Sequence, residues 1–443
     1  MAFANLKVLE EFIETIKYVS SDPTLMKSML KKKSAFSRKS KLSFETSTFL
    51  ILSMLKRSLN IEIDHFTEAL NLPEELCFTK SAFSQRRHLI DSKWFQFLLE
   101  HLSNLYYEYN DDIKRWKGYK LFAIDGSTAD LIKEKELLEF YEGANNQHSN
   151  YPLCRFLKMH DLLNDIIVKA QMMPMKRGEI KCAYNWVDSI ADDSITICDR
   201  GFASFTFFYL MRACEKPKEF IVRCKTSFNN EVKQFVASDQ MSSKLRFYAT
   251  DESIKELLKH YVKVNKETYV EVRAEKIVLD TGEIEVLLTS VFDEDILSRQ
   301  ELKFLYMKRW NIETRIGLSK NVFQLEIFSS HLKNGIEQDF YSNMILCNIH
   351  SMLMSETQSN VDKKTAQRVY AYKVNISASI NQFKKKIIDL FFNKNLLETF
   401  RKICSRFEKY IEPIRPNRKV KRTKVTKKRY GKHKTQKNYR NNI

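Results

Sequence analysis

The spacing of apolar residues along this chain changes period twice, and neither an all-helical nor an all-strand architecture accommodates that change. In residues 6–16, 44–55 and 94–107 apolar side chains recur every three or four positions, which predicts helices through the first 115 residues. From residue 118 the pattern shortens. The apolar run 119–124 ends in Asp125-Gly126-Ser127-Thr128, which predicts a buried strand and then a turn. Residues 153–163 and 165–172 read as two strands in a hairpin around Asn164. A helix (179–190), a strand (194–198), a break at Asp199-Arg200-Gly201, a helix (203–214) and a strand (220–224) follow. Residues 227–298 read as β-rich, with strands at 247–250, 261–264, 268–276 and 283–292 and a hairpin turn at 280–282. Helical spacing then returns, in one long helix over 298–324 and again at 340–354 and 376–407. The fold class expected is α/β, a mixed sheet flanked by helices, with an all-α region at 1–115. Core segments at 116–226 and 299–412 enclose the β-rich insertion 227–298, and a basic tail occupies 413–443.

Charge narrows the partners. The formal net charge is +19, and residues 414–443 alone hold 13 Lys or Arg with no Asp or Glu. Such a balance points to a polyanion, nucleic acid before membrane, and no stretch is apolar enough to predict a membrane span. The tail predicts disorder until it meets that polyanion, with a solubility role as the plainer reading. Only nine glycines are present, and neither a G-x-x-x-x-G-K-[ST] nor a G-x-G-x-x-G loop occurs, so nucleotide-cradling chemistry is excluded. The eight cysteines contain no C-x-x-C pair and residues 1–20 lack signal-peptide character, consistent with a reducing cytosol. Histidines are unclustered, which argues against catalytic zinc.

Two features carry chemistry. In the 298–324 helix, Tyr306, Arg309, Glu313 and Lys320 fall on one stripe at ~100° per residue. That stripe suits a row of phosphate contacts with an acid in its middle; the plainer reading is a solvated face with an i, i+4 pair of Arg309 and Glu313. Asp125 and Asp199 follow predicted strands, where carboxylates of an α/β sheet face the ligand crevice, although either alone suits a turn or a cap. Together with Glu313 they make three acids able to hold two divalent cations for phosphoryl transfer. In the N-terminal region, short helices at 63–70 and 81–90, the second capped by Ser81, form a candidate helix-turn-helix that sets Arg86 and Arg87 against DNA, or a solvated face.

These residues resemble the DDE transposases of bacterial insertion sequences, specifically the "insertion-sequence-four" family with its Y-x2-R-x3-E-x6-K signature. The string YMKRWNIETRIGLSK carries it as Tyr306, Arg309, Glu313 and Lys320, with Asp125 in AIDGST and Asp199 in CDRGFASF. TKSAFSQRRHLI looks like the family's segment ahead of the catalytic core, and the likeness spans residues 79–350. The resemblance implies a ribonuclease H-like core interrupted by a β-rich insertion. It implies Asp125, Asp199 and Glu313 as ligands of two Mg2+ or Mn2+ ions, and Tyr306, Arg309 and Lys320 as phosphate contacts near a transposon end. Arg200 joins them as a candidate DNA contact. Trp310 reads first as a core residue, with stacking on a flipped base as its functional alternative. Glu179 stands where the family often has an acid, and a helix's first turn favours an acid on dipole grounds alone. The activity implied is cut-and-paste transposition on double-stranded DNA, at transposon ends and target, by a homodimer in the cytoplasm. The rival expectations are a DNA-binding relic or repressor without catalysis and an RNA-associated basic protein.

Overall fold

The computed structural model describes residues 2–38, 40–54, 57–146, 149–279 and 282–415. Two turn and tail expectations, at 280–282 and 413–443, lie wholly or mostly outside them. The described strands are β1 (Lys120–Asp130), β2 (Gly143–Asn146), β3 (Ser149–Asp161), β4 (Ile166–Pro174), β5 (Ser194–Cys198), β6 (Glu219–Cys224), β7 (Ser242–Tyr248), β8 (Tyr269–Val278), β9 (Ile284–Thr289), β10 (Tyr372–Val374) and β11 (Ile411–Pro413). The chain forms two units interleaved in sequence: one from residues 1–113, 129–154 and 318–443, the other from 114–128 and 155–317.

The first unit is helical. Its opening helices, among them Ala2–Ser21, Phe44–Ser53 and Ser92–Tyr109, pack with the 33-residue helix Lys333–Thr365 around Phe12, Phe49, Phe66, Trp94 and Phe95, all buried. Burying these rings against one long helix is what the three-and-four spacing encodes. The 376–407 region, expected to be helical, holds three helices, Ile376–Lys384, Ile387–Phe392 and Leu396–Phe407, the last capped by Asn395. β2 pairs antiparallel with the start of β3, and β10 with β11. Among the described residues no helix is long and apolar enough to cross a membrane.

The second unit is built on a mixed sheet in the order β3-β1-β5-β6-β9-β8-β7, with β4 beside β3. β1, β5 and β6 run parallel; β9, β8 and β7 continue the sheet antiparallel. The strands expected as a separate β-rich insertion therefore extend the central sheet through the β6–β9 pair. The same stretch also contains two helices, Asn230–Ala237 and Asp251–Lys259, and no strand at 261–264. Alternation along a sequence predicts strands but not which distant strand accepts their hydrogen bonds, and this pairing joins residues more than 60 positions apart. On one face Leu121, Ile195, Ile197, Ile221, Ile277 and Leu287 form a buried cluster with Leu302, Leu305 and Tyr306 of the Arg299–Lys308 helix. That helix starts with a capping box, Ser298 and Glu301 each bonding the other's backbone N–H.

Candidate active site

Parallel pairing of β1 with β5 sets the two aspartates. The register is Ile124↔Cys198, so Asp125 and Asp199 are the next residues in adjacent strands, ~4.8 Å apart across the sheet. The expected turn after Ile124 does not form: β1 runs on to Asp130, and Asp125 lies inside the strand. A D-G-S-T string reads as a turn because glycine and short polar residues favour turns, and only the neighbouring strands override that preference. Asp199 follows β5 in extended conformation and accepts the Gly201 N–H at 2.8 Å, opening a short 3₁₀ turn, Arg200–Phe202. Asp125 Oδ1 accepts the Gly126 N–H at 2.9 Å.

The helix expected over 298–324 is two helices, Arg299–Lys308 and Trp310–Asn321, joined at Arg309. Two short-range bonds tighten the junction: Arg309 N–H to Tyr306 C=O and Ile312 N–H to Arg309 C=O, each 3.0 Å. The uniform 100° wheel therefore fails here, and the four signature residues do not share one solvated stripe. Tyr306 and Arg309 are buried, each 5% exposed, whereas Trp310, expected in the core, is 55% exposed. Arg309 sits between two acids, 2.8 Å from Glu313 and 3.7 Å from Asp125. Its Nε is buried without a hydrogen bond, and its guanidinium lies 5.7 Å from the Tyr306 ring and 5.2 Å from the Trp310 ring. Tyr306 projects into the apolar cluster, so it does not face solvent as a phosphate contact would. Arg200 is exposed beside Asp199. Lys320 belongs to the first unit, where it pairs with Glu326 at 3.3 Å.

Arg86 and Arg87 are corrected by their surroundings. The helix Lys80–Leu89 is capped by Thr79, not Ser81. Arg87 is buried, bonding Asp339 at 2.8 Å, Gln338 at 2.7 Å and the Gly335 carbonyl at 2.7 Å; every direction of its guanidinium is spent inside the protein, so it offers nothing to DNA. Arg86 is half-buried over the Phe36 ring and bonds Ser40.

Electrostatics mark the same place. Burial pushes the Asp125 carboxyl up to about 6, against the Gly126 N–H and Arg309, with Asp199 and Glu313 adding repulsion. Glu179, opening the helix Glu179–Tyr184, is a fourth nearby acid: burial raises its pKa, Arg155 opposes this and Asp199 adds to it. Gly126 makes room for it, because a Cβ there would stand 2.6 Å from Glu179 Oε1. The glycine of AIDGST is the sequence signal for that approach, and its partner was not legible. Among the described residues no three His, Cys, Asp or Glu side chains draw together tightly enough to enclose a metal ion. The donor set nonetheless fits a hard divalent cation: all carboxylate oxygens, one of them desolvated, with a guanidinium already supplying positive charge between two of them. A cation there would compete with Arg309 for the same acids.

The model of a family described as "Transposase DDE domain" matches residues 116–349, a little over half of the chain. InsZ of Escherichia coli (strain K12), whose given name calls it a transposase, is 34% identical over 92 residues. That alignment covers 20% of this chain and 31% of InsZ, so the chain spans about a third of this curated relative's length. A solved structure of the piggyBac transposase synaptic complex with hairpin DNA is similar over 92% of this chain and 81% of that one, at 12% identity and a TM-score of 0.43.

Proposed function

Because the chain belongs to the transposase DDE domain family, we propose that it is an insertion-sequence transposase of the "insertion-sequence-four" type, cutting DNA at its element's ends and joining them to a target. The observation that carries this reading is the row of Asp125 and Asp199 on neighbouring parallel strands, with Arg309 bridging from Asp125 to Glu313. The central sheet is read as a ribonuclease H-like core whose carboxyl strand ends face the DNA. Asp125, Asp199 and Glu313 hold the divalent cations. Two Mg2+ or Mn2+ ions, when bound, supply an activated water or 3'-hydroxyl and neutralise the leaving oxygen. With Asp125 and Glu313 as the residues that would hold a cation, Arg309, which pairs with both here, would be the guanidinium available to a phosphate oxygen of the bound strand. Trp310, exposed at the helix junction, stacks on an unpaired base; Arg200 and Lys320 contact the backbone. Terminal inverted repeats are the specific ligand, and two protomers act on paired ends.

The test is divalent-metal-dependent nicking of DNA carrying the element's ends. The wild-type chain should nick at the end and Glu313→Ala should not. Activity that survives Glu313→Ala, Asp125→Asn and Asp199→Asn alike would sink the assigned site. Specific binding with no nicking in any divalent metal would instead identify a repressor or an inactive relic.

A further inference from the structure

The register that places Asp125 beside Asp199 continues one strand further. Cys198 pairs with Val222 of β6, so Arg223 is the next residue in the row: Asp125 on β1, Asp199 after β5, Arg223 on β6. Alternation fixes their face. Leu121, Ile197 and Ile221 all lie in the buried cluster beneath the Arg299–Lys308 helix, and side chains an even number of residues along each strand emerge on that same side. Asp125 is four residues beyond Leu121, Asp199 two beyond Ile197 and Arg223 two beyond Ile221. At ~4.8 Å per strand, Arg223 stands one strand from Asp199 and two from Asp125.

Its surroundings match a site residue more than a structural one. Arg223 is about a quarter exposed and pairs through Nη1 with Glu285 of β9, itself about a quarter exposed. One carboxylate contact leaves other N–H donors of the fork for a second acceptor. The Tyr306 hydroxyl, buried and without a well-formed hydrogen bond, lies in the field of Arg309, Arg223 and Glu285. The Arg309 guanidinium stands 5.7 Å from the Tyr306 ring, and Arg223 lies on the strand face that carries the acids.

We infer that Arg223 is a phosphate-binding residue of this site, gripping the DNA strand being cut at the scissile phosphate or its immediate neighbour, with Glu285 holding the guanidinium in position until DNA arrives. The inference rests on the reading of the site as a DNA-cutting centre. Glu285 aligns the fork, and the phosphate takes the donors that Glu285 leaves free.

The experiment measures equilibrium binding of the full chain to a duplex carrying the element's end, in EDTA so that no cutting occurs, across a series of salt concentrations. Arg223→Ala should weaken binding by ~10-fold and lower the slope of log affinity against log salt by about 1, the signature of one lost phosphate contact. Glu285→Gln, which releases the guanidinium, should keep the wild-type slope and bind at least as tightly. In case Arg223→Ala misfolds, leaving Glu285 unpaired, the charge-neutral double variant Arg223→Gln/Glu285→Gln gives the same reading. With the wild-type chain, an uncharged methylphosphonate at the scissile phosphate or one neighbour should cost the same ~10-fold, and in the double variant it should cost little. A wild-type slope in a folded Arg223 variant overturns the inference. Failure of the wild-type chain to prefer the element's end over a scrambled duplex would instead overturn the DNA-cutting reading beneath it.

Discussion

Burial pushes the Asp125 carboxyl up to about 6 from an ordinary value near 3.8, so between those pH values the folded chain binds a proton that the unfolded chain has released. Stability from this group is full below about 3.8 and is lost as pH rises through about 6. Removing the charge should therefore stabilise the metal-free protein at neutral pH: Asp125→Asn is expected to gain up to ~3 kcal/mol above that window and to flatten the decline across it. Thermal melts of both proteins from acid to neutral pH, in EDTA, check this; an Asp125→Asn melting point at or below wild type at neutral pH contradicts it. Added Mn2+ should then raise the wild-type melting point and leave Asp125→Asn nearly unmoved. Gly126 makes a second case at the same scale. Gly126→Ala drives a methyl into the Glu179 carboxylate, the end of a flexible and partly exposed side chain that can swing aside from Arg155, so the cost should stay below ~1 kcal/mol. Glu179→Ala in the same chain removes the obstacle, so the double variant should recover most of that loss. Additive losses in such a cycle would show that the two residues are not in contact.

The signature helix shows what periodicity conveys and what it does not. Spacing predicted helix on both sides of Arg309, but a uniform 3.6-residue wheel cannot contain a junction where successive bonds run from i to i+3, so the single stripe it drew does not form. The exposures consequently invert, with Tyr306 inside and Trp310 outside. That inversion has a measurable outcome. Trp310→Ala should change stability by less than ~0.5 kcal/mol, as surface substitutions do, while weakening end cleavage; Tyr306→Ala, which empties a buried ring site, should cost ~3 kcal/mol or more. Tyr306→Phe, which deletes a buried hydroxyl lacking a partner, should leave the melting point unchanged or higher. Chemical denaturation of the three variants decides the ranking, and a Trp310→Ala loss equal to that of Tyr306→Ala would refute it. Much of the site was legible in the same limited sense. Asp125, Asp199 and Glu313 could be chosen as candidates from apolar runs and helix spacing, because those patterns are local, although Asp125 proves to lie within β1 and not at its end. Arg223 could not, because its place depends on a parallel pairing between β5 and β6, and Arg87 was misread because the acid that buries it lies 252 residues away. The strands β8 and β9 were likewise visible as strands and invisible as members of the central sheet, while the strand expected at 261–264 does not form.

At the scale of the whole molecule the net charge is concentrated in the last residues of the sequence. Residues 416–443 carry 12 of the 74 Lys and Arg and no acid, so the preceding 415 residues hold 62 basic against 55 acidic side chains. On the proposed reading, recognition of one DNA end over all other DNA gains nothing in specificity from such a segment, because phosphate contacts carry affinity without sequence information. Its contribution should instead be retention on DNA and faster encounter. Each phosphate neutralised contributes ~0.9 to the salt slope, so 12 basic residues set a ceiling near 11, and engagement of only some of them would give about a third to a half of that. A chain truncated after Arg415 is therefore expected to melt like the full chain and to bind random duplex far more weakly, with a slope lower by ~4. Its ratio of affinities for the element's end over random DNA should stay level or rise. Binding isotherms on both duplexes at several salt concentrations provide the comparison. An unchanged slope would mean that the basic tail does not touch DNA and serves solubility alone, whereas a collapse of the ratio would mean that it reads sequence, which the chemistry of lysine and arginine on a backbone does not supply.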